Sequence, residues 1–214
     1  AHARVSQPRT DGRNAGVALG QSNVDGVLFT GSCQTGVALH KQFGGQPGKM
    51  LALEMGGNNP LVVWDVKDVD AAVHHAVMSA FVSAGQRCTC ARRLVVQDSP
   101  AGDAFIKRLV EVAGKLTVGA PESEPQPFMG PVVSSAVAGR LVQAQADMAA
   151  KGGKLLLAMR QLDPNTGFVT AGIVDTTVAD FNVLATYFGQ WVVPFTNGDL
   201  TGDGLVSVGD FNIL

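Results

Sequence analysis

Three cysteines, one tyrosine, two tryptophans and 16% charged side chains are all that this 214-residue chain has of those types. Each scarcity excludes something. Cys33, Cys88 and Cys90 are too few, and odd in number, for a disulfide framework, so a reducing, cytoplasmic setting is expected. Cys88 and Cys90 stand one residue apart with no histidine close by, which argues against zinc. A net charge of −2 leaves no electrostatic footprint for nucleic acid. No apolar run is long enough to span a bilayer, so no membrane partner is expected. The opening Ala-His-Ala-Arg lacks the apolar core of a signal peptide. What the chain does have is 46% hydrophobic residues and 26 glycines, the composition of a globular fold with many close turns. Its length suits one large domain or two small ones.

The hydrophobic pattern alternates between strand and helix. Short apolar runs predict strands over 27–30, 50–53, 60–64, 93–96 and 154–159. Between them, 35–43 reads as a helix stopped by Gly44-Gly45. Asp68 is placed to cap the next helix, in which Val69, Val73, Val77 and Phe81 recur every four residues as one buried stripe. Asp103 is expected to open a third, with Phe105, Leu109, Val112 and Leu116 inward. Four prolines (Pro121, Pro125, Pro127, Pro131) mark a loop, and 135–150 forms a helix through Val137, Leu141, Ala144 and Met148. Such alternation implies an α/β fold with a parallel, doubly wound sheet. After about Asp175 the composition changes, and Val-Ala-Asp-Phe-Asn-Val-Leu at 178–184 recurs as Val-Gly-Asp-Phe-Asn-Ile-Leu at 208–214.

Three motifs carry chemistry. Leu-Glu-Met-Gly-Gly-Asn-Asn-Pro presents Glu54 on a glycine-flanked turn, and Gly-Gln-Arg-Cys-Thr-Cys presents Cys88 just past a helix. A thiol and a carboxylate suit a cysteine nucleophile served by a general base. Phe-Thr-Gly-Ser at 29–32 joins a strand to a turn. Taken alone, a cysteine after a helix is usually an inert core residue, and a glutamate beside a glycine pair is usually solvated. Cys33 keeps that plain reading, as a buried or half-buried thiol.

In this order and spacing, the three motifs resemble those of the aldehyde dehydrogenase superfamily over about 16–177. The resemblance implies a partial doubly wound sheet of that type, with 16–57 ending a nucleotide-binding domain and 58–177 forming part of a catalytic domain, after an irregular 1–15. It implies Cys88 as nucleophile, ahead of Cys90, and Glu54 as the base that activates water. It implies NAD as cofactor, approached by Gly31, Ser32 and Gly36, with the Cys88 N–H donating to the oxyanion. A homo-oligomer is implied too. Asn58-Asn59-Pro60 after the glycine pair, and Thr89 to Arg93, resemble the succinylglutamate semialdehyde branch, which acts in arginine breakdown. One of Arg87, Arg92 and Arg93 could then meet a substrate carboxylate.

The chain also departs from the family, whose members are much longer. The family's oxyanion asparagine and ribose-binding lysine precede the strand at 27–30 and have no counterpart here. Its Glu-Glu-x-Phe-Gly-Pro is replaced by Ala-Thr-Tyr-Phe-Gly-Gln at 185–190. The expectation is weak NAD binding and little turnover by this chain alone. The tail at 178–214 instead resembles a truncated dockerin module, which implies a cohesin-like partner. Residues 199–210 fit a twelve-residue calcium loop, with oxygens from Asp199, Thr201, Asp203, the Leu205 carbonyl, Ser207 and Asp210, and with Gly204 at the sharp turn.

Overall fold

The computed structural model describes residues 24–176. The chain divides between Gly57 and Asn58 into two compact units.

In the first unit, β1 (Gly26–Gly31) runs into helix α1 (Cys33–Phe43), and β2 (Met50–Met55) returns parallel to β1. The register sets Thr30 beside Glu54 and Gly31 beside Met55. The helix starts two residues before the sequence pattern predicts, because the Ser32 hydroxyl accepts from the Thr35 N–H at 3.1 Å and so caps it. Strand alternation turns Val27 and Phe29 toward Leu39 and Phe43, with Leu51 and Leu53 packed alongside. The Lys49 ammonium donates to the Val24 carbonyl, tying the entry of β2 to that of β1.

In the second unit, β3 (Asn59–Val63) and β4 (Ala91–Val96) pair in parallel, linked through α2 (Val69–Phe81). Asp68 caps α2 through its carboxylate, as its position predicts. Helix α3 (Pro100–Ala113) packs on α2. Its cap is Ser99, with Pro100 in the first turn, so Asp103 lies inside the first turn and does not open the helix. Phe105 is fully buried among Val63, Val73, Ala76, Val77 and Leu109. Leu61 and Val63 face this core, whereas Val62 (63% exposed) lies on the opposite face of β3 and Trp64, just past the strand, is 69% exposed. Helix α4 (Ser135–Ala150) precedes a hairpin-like pair, β5 (Lys154–Leu157) and β6 (Ile173–Asp175).

Two expectations are corrected. The described residues form three two-stranded sheets, two parallel and one antiparallel, rather than one parallel sheet. The segment 158–172 contains no helix, so the chain doubles back instead of crossing over as a parallel pair requires. The inner face of α4 is also shifted from the predicted stripe. Leu141 and Met148 are 37% and 40% exposed, and Ala138, Val142, Gln145 and Ala149 turn inward. Gln145 can occupy that face because its carboxamide is satisfied at both ends: the Met159 N–H donates to Oε1 at 2.6 Å, and Nε2 donates to the Met159 carbonyl at 3.3 Å.

Candidate active site

Helix α2 stops at Phe81, and a 3-10 turn (Val82–Gly85) comes next. Ser83 (φ 59°), Ala84 (φ 52°) and Gly85 (φ 68°) are consecutively left-handed. The two residues with side chains each pay about 1–2 kcal/mol for this. The turn takes the chain out of the helix at once, and Gln86 fastens the exit. Its side chain donates to the Ser83 carbonyl at 3.1 Å and the Pro131 carbonyl at 3.3 Å, and accepts from the Val133 N–H at 2.9 Å.

Beyond Gln86 the two cysteines of the second unit part company. Cys88 is exposed; Cys90 is 3% exposed, with its thiol 3.9 Å from the Val82 carbonyl. From the start of β3, the Asn59 carboxamide donates to the carbonyls of Cys88 (2.6 Å) and Cys90 (3.1 Å). The Arg87 guanidinium donates to the Ser83 hydroxyl at 3.2 Å, that of Arg92 to the Arg87 carbonyl at 3.4 Å, and that of Arg93 to the Asn58 carbonyl at 3.2 Å. The Cys88 N–H has no acceptor among the described residues. The arrangement offers a solvent-facing thiol on a turn held from two sides. Asn59 and Gln86 are the residues that motif reading passed over as participants. Both stood inside quoted motifs, but their hydrogen-bond partners are distant in sequence.

Glu54, Gly31, Ser32 and Gly36 all belong to the first unit. Glu54 is exposed on β2, one residue from its end, not on the glycine turn that the sequence suggests. Among the described residues its carboxylate makes no ion pair. A Cβ at Gly31 would come within 2.5 Å of the Phe29 ring, and one at Gly36 within 2.2 Å of the Met55 sulfur. Both glycines therefore serve close packing of β1, β2 and α1, because the chain's own side chains already fill the space. The end of α1 offers a different kind of donor set. Ser32 takes up the Thr35 and Gly36 N–H groups, and no acidic residue lies in the first turn. Among the described residues the N–H groups of Cys33 and Gln34 have no acceptor, a set at the helix end that fits a diphosphate. Cys33 itself is exposed, contrary to expectation, because it begins the helix at that open end.

The calcium-loop residues Asp199, Thr201, Asp203, Leu205, Ser207 and Asp210, and the stretch 185–190, lie outside the described residues. Among the described residues no group of three or more His, Cys, Asp or Glu side chains is placed to hold a metal, and no helix is long and apolar enough to cross a membrane.

Comparison with known proteins agrees with the motifs. The sequence model of the aldehyde dehydrogenase family matches residues 9–187. The N-succinylglutamate 5-semialdehyde dehydrogenase of Chromobacterium violaceum is 61% identical over 168 residues, 78% of this chain and 35% of that protein. The enzyme of the same name from Ectopseudomonas mendocina is 52% identical over 192 residues, 89% of this chain and 39% of that one. Among solved structures, succinate-semialdehyde dehydrogenase from Burkholderia pseudomallei superposes with a TM-score of 0.68 at 31% identity, covering 77% of this chain and 34% of that one. Betaine aldehyde dehydrogenase from Staphylococcus aureus, solved in complex with NAD+, gives 0.67 at 27% identity, over 75% and 32%. The chain thus spans little more than a third of the length of the curated relatives it matches. With the family's sequence model covering most of its residues, and with the fold shared, the chain belongs to the aldehyde dehydrogenase family.

Proposed function

We propose that this chain carries the nucleophile of an NAD-dependent aldehyde dehydrogenase, and that the whole protein oxidises N-succinylglutamate 5-semialdehyde to N-succinylglutamate in arginine breakdown. The substrate reading is supported by the names of the relatives at 52–61% identity. The chemical reading rests on one observation. Of the two cysteines in one tight turn, Cys88 is open to solvent and Cys90 is sealed.

The Cys88 thiolate attacks the aldehyde carbon, a C–S bond forms, and the carbonyl electron pair moves to oxygen. The Cys88 N–H donates to that oxygen. Bound NAD would supply the hydride acceptor that brings the carbon to the acid oxidation level. Ser32 and the first N–H groups of α1 would hold its diphosphate, with Gly31 and Gly36 keeping Phe29 and Met55 packed beneath. Cys88 then holds the acyl group as a thioester. Glu54 takes a proton from water, whose oxygen displaces the thiolate and frees the acid. In this reading 16–57 ends the nucleotide-binding domain, 58–177 is part of the catalytic domain, and the assembled enzyme is a cytoplasmic homo-oligomer.

The test is competitive thiol labelling read by peptide mass spectrometry. Cys33 and Cys88 are both exposed, so accessibility alone predicts equal rates. Faster alkylation of Cys88 near neutral pH is the expected result. Equal rates would remove the nucleophile assignment.

A second reading concerns the tail. The family match ends at residue 187, before the calcium-like loop at 199–210 begins. That loop, with Asp199, Thr201, Asp203, Leu205, Ser207 and Asp210 as ligands, would bind Ca2+ and make a dockerin-like contact with a cohesin-like partner. Calorimetric titration should show Ca2+ binding that Asp203→Ala abolishes. An absence of heat in the parent chain would end this reading.

A further inference from the structure

The turn bearing Cys88 is anchored through its carbonyl oxygens, and this bears on the direction of its N–H groups. The only cis peptide among the described residues is Glu124-Pro125, so the peptides on both sides of Cys88 are trans. In a trans peptide plane the carbonyl and the N–H point in opposite directions. The plane between Arg87 and Cys88 is held at its carbonyl by two donors, the Cys90 N–H at 3.2 Å and the Arg92 guanidinium at 3.4 Å. The plane between Cys88 and Thr89 is held at its carbonyl by Asn59, at 2.6 Å. The N–H groups of Cys88 and Thr89 must therefore point away from these anchors, and neither has an acceptor among the described residues.

We propose that Asn59 and Arg92 are positioning residues that fix the two peptide planes flanking Cys88, and so aim the Cys88 N–H at the oxygen of an electrophilic carbonyl bound to the thiol. This rests on Cys88 being the nucleophile. Neither side chain touches the reacting atoms. Each acts by preventing its plane from turning over, which would put a carbonyl oxygen where the oxyanion needs a donor. Asn59 is suited to the task because one NH2 group reaches the Cys88 and Cys90 carbonyls together and spans the turn. Arg92 adds a charged donor to a carbonyl that otherwise, among the described residues, has only the Cys90 N–H.

Two reagents on the full chain separate aiming from general integrity. p-Nitrophenyl acetate acylates a thiolate through an oxyanion: a C–S bond forms, p-nitrophenolate leaves, and the thiol proton goes to solvent. Iodoacetamide alkylates the same sulfur by displacement of iodide, with no oxyanion. Rates at Cys88 and Cys33 are read separately by peptide mass spectrometry. In Asn59→Leu and Arg92→Ala, acylation of Cys88 should slow by roughly tenfold to a hundredfold, somewhat less than loss of an oxyanion donor outright. Alkylation of Cys88, its pH profile, and both reactions at Cys33 should stay near the parent values, and Arg92→Lys should recover part of the acylation rate. Because Arg92 is exposed, its variants report even if Asn59→Leu fails to fold. Equal slowing of acylation and alkylation, or an unmoved ratio, would overturn the aiming role while leaving Cys88 as nucleophile. Should Cys88 fail to outpace Cys33 with both reagents in the parent chain, the nucleophile reading falls, and the aiming role with it.

Discussion

Replacing Phe105 with alanine is the sharpest test of the second unit as described. The ring has no exposed surface and shares one buried cluster with Val63 of the sheet, Val73, Ala76 and Val77 of α2, and Leu109 of its own helix. Truncation leaves a cavity that rigid neighbours on two elements cannot close, so the cost should sit in the usual Phe→Ala range of about 3–5 kcal/mol. Cys90 supplies a built-in reporter, being 3% exposed in the same unit. A buried thiol reacts only when its surroundings open, and when reclosing outpaces labelling its rate follows the opening equilibrium. At about 1.4 kcal/mol per factor of ten, Phe105→Ala should speed Cys90 labelling roughly a hundredfold to a few thousandfold, up to the ceiling set by full unfolding. Cys33 and Cys88, exposed from the outset, should not change and serve as internal standards. The measurement is a time course of alkylation read peptide by peptide. A parent chain whose Cys90 labels as fast as Cys33, or a Cys90 rate indifferent to Phe105→Ala, would refute the picture of a buried thiol in a unit held together by this core.

Local geometry sets two further outcomes. A Cβ at Gly102 would lie 2.0 Å from the Gln97 carbonyl oxygen and 3.0 Å from a Val96 methyl, so Gly102→Ala should cost about 1–3 kcal/mol as overpacking; an unchanged urea midpoint would contradict it. Hydrogen bonds from Lys115 and then Arg108 hold the Glu111 carboxyl below the ordinary carboxylate range. The stabilisation it gives is therefore present above the unfolded carboxylate pKa and is lost as pH falls through the lowered folded value. Glu111→Gln should flatten the acid limb of a melting-temperature profile. Parallel profiles for the two proteins would count against that link.

Local signals in the sequence were enough for most elements. Asp68 as a cap and the four-residue spacing of Val73 and Val77 placed α2, and short apolar runs placed the strands of both parallel pairs. The turn bearing Cys88 was legible as a motif: Gly-Gln-Arg-Cys-Thr-Cys placed it past a helix, and Cys88 is exposed. What stayed hidden was settled by partners far along the chain. Gln145 could face inward on α4 only because Met159 answers both ends of its amide, which no helical period reveals. Ser99 outcompeted Asp103 as a cap because its hydroxyl reaches the Gly102 N–H with Pro100 already set for a first turn. Asn59 reads as a family marker in sequence and becomes a clamp only when β3 and β4 come together. Sheet order depended on which strands found neighbours, and the helix-free path from β5 to β6 decided that against a parallel arrangement.

The left-handed run at Ser83, Ala84 and Gly85 also bears on how this stretch can evolve. Each residue added to a helix or deleted from it rotates the rest of the chain by about 100°. Here the helix upstream is locked by the core and the loop downstream is locked by Gln86, so no slack remains to absorb such a rotation. The stretch should therefore accept exchanges of side chain, including Ser83 or Ala84 to glycine, far more readily than changes of length. Diversity among relatives at this bend would then be written in letters and not in gaps.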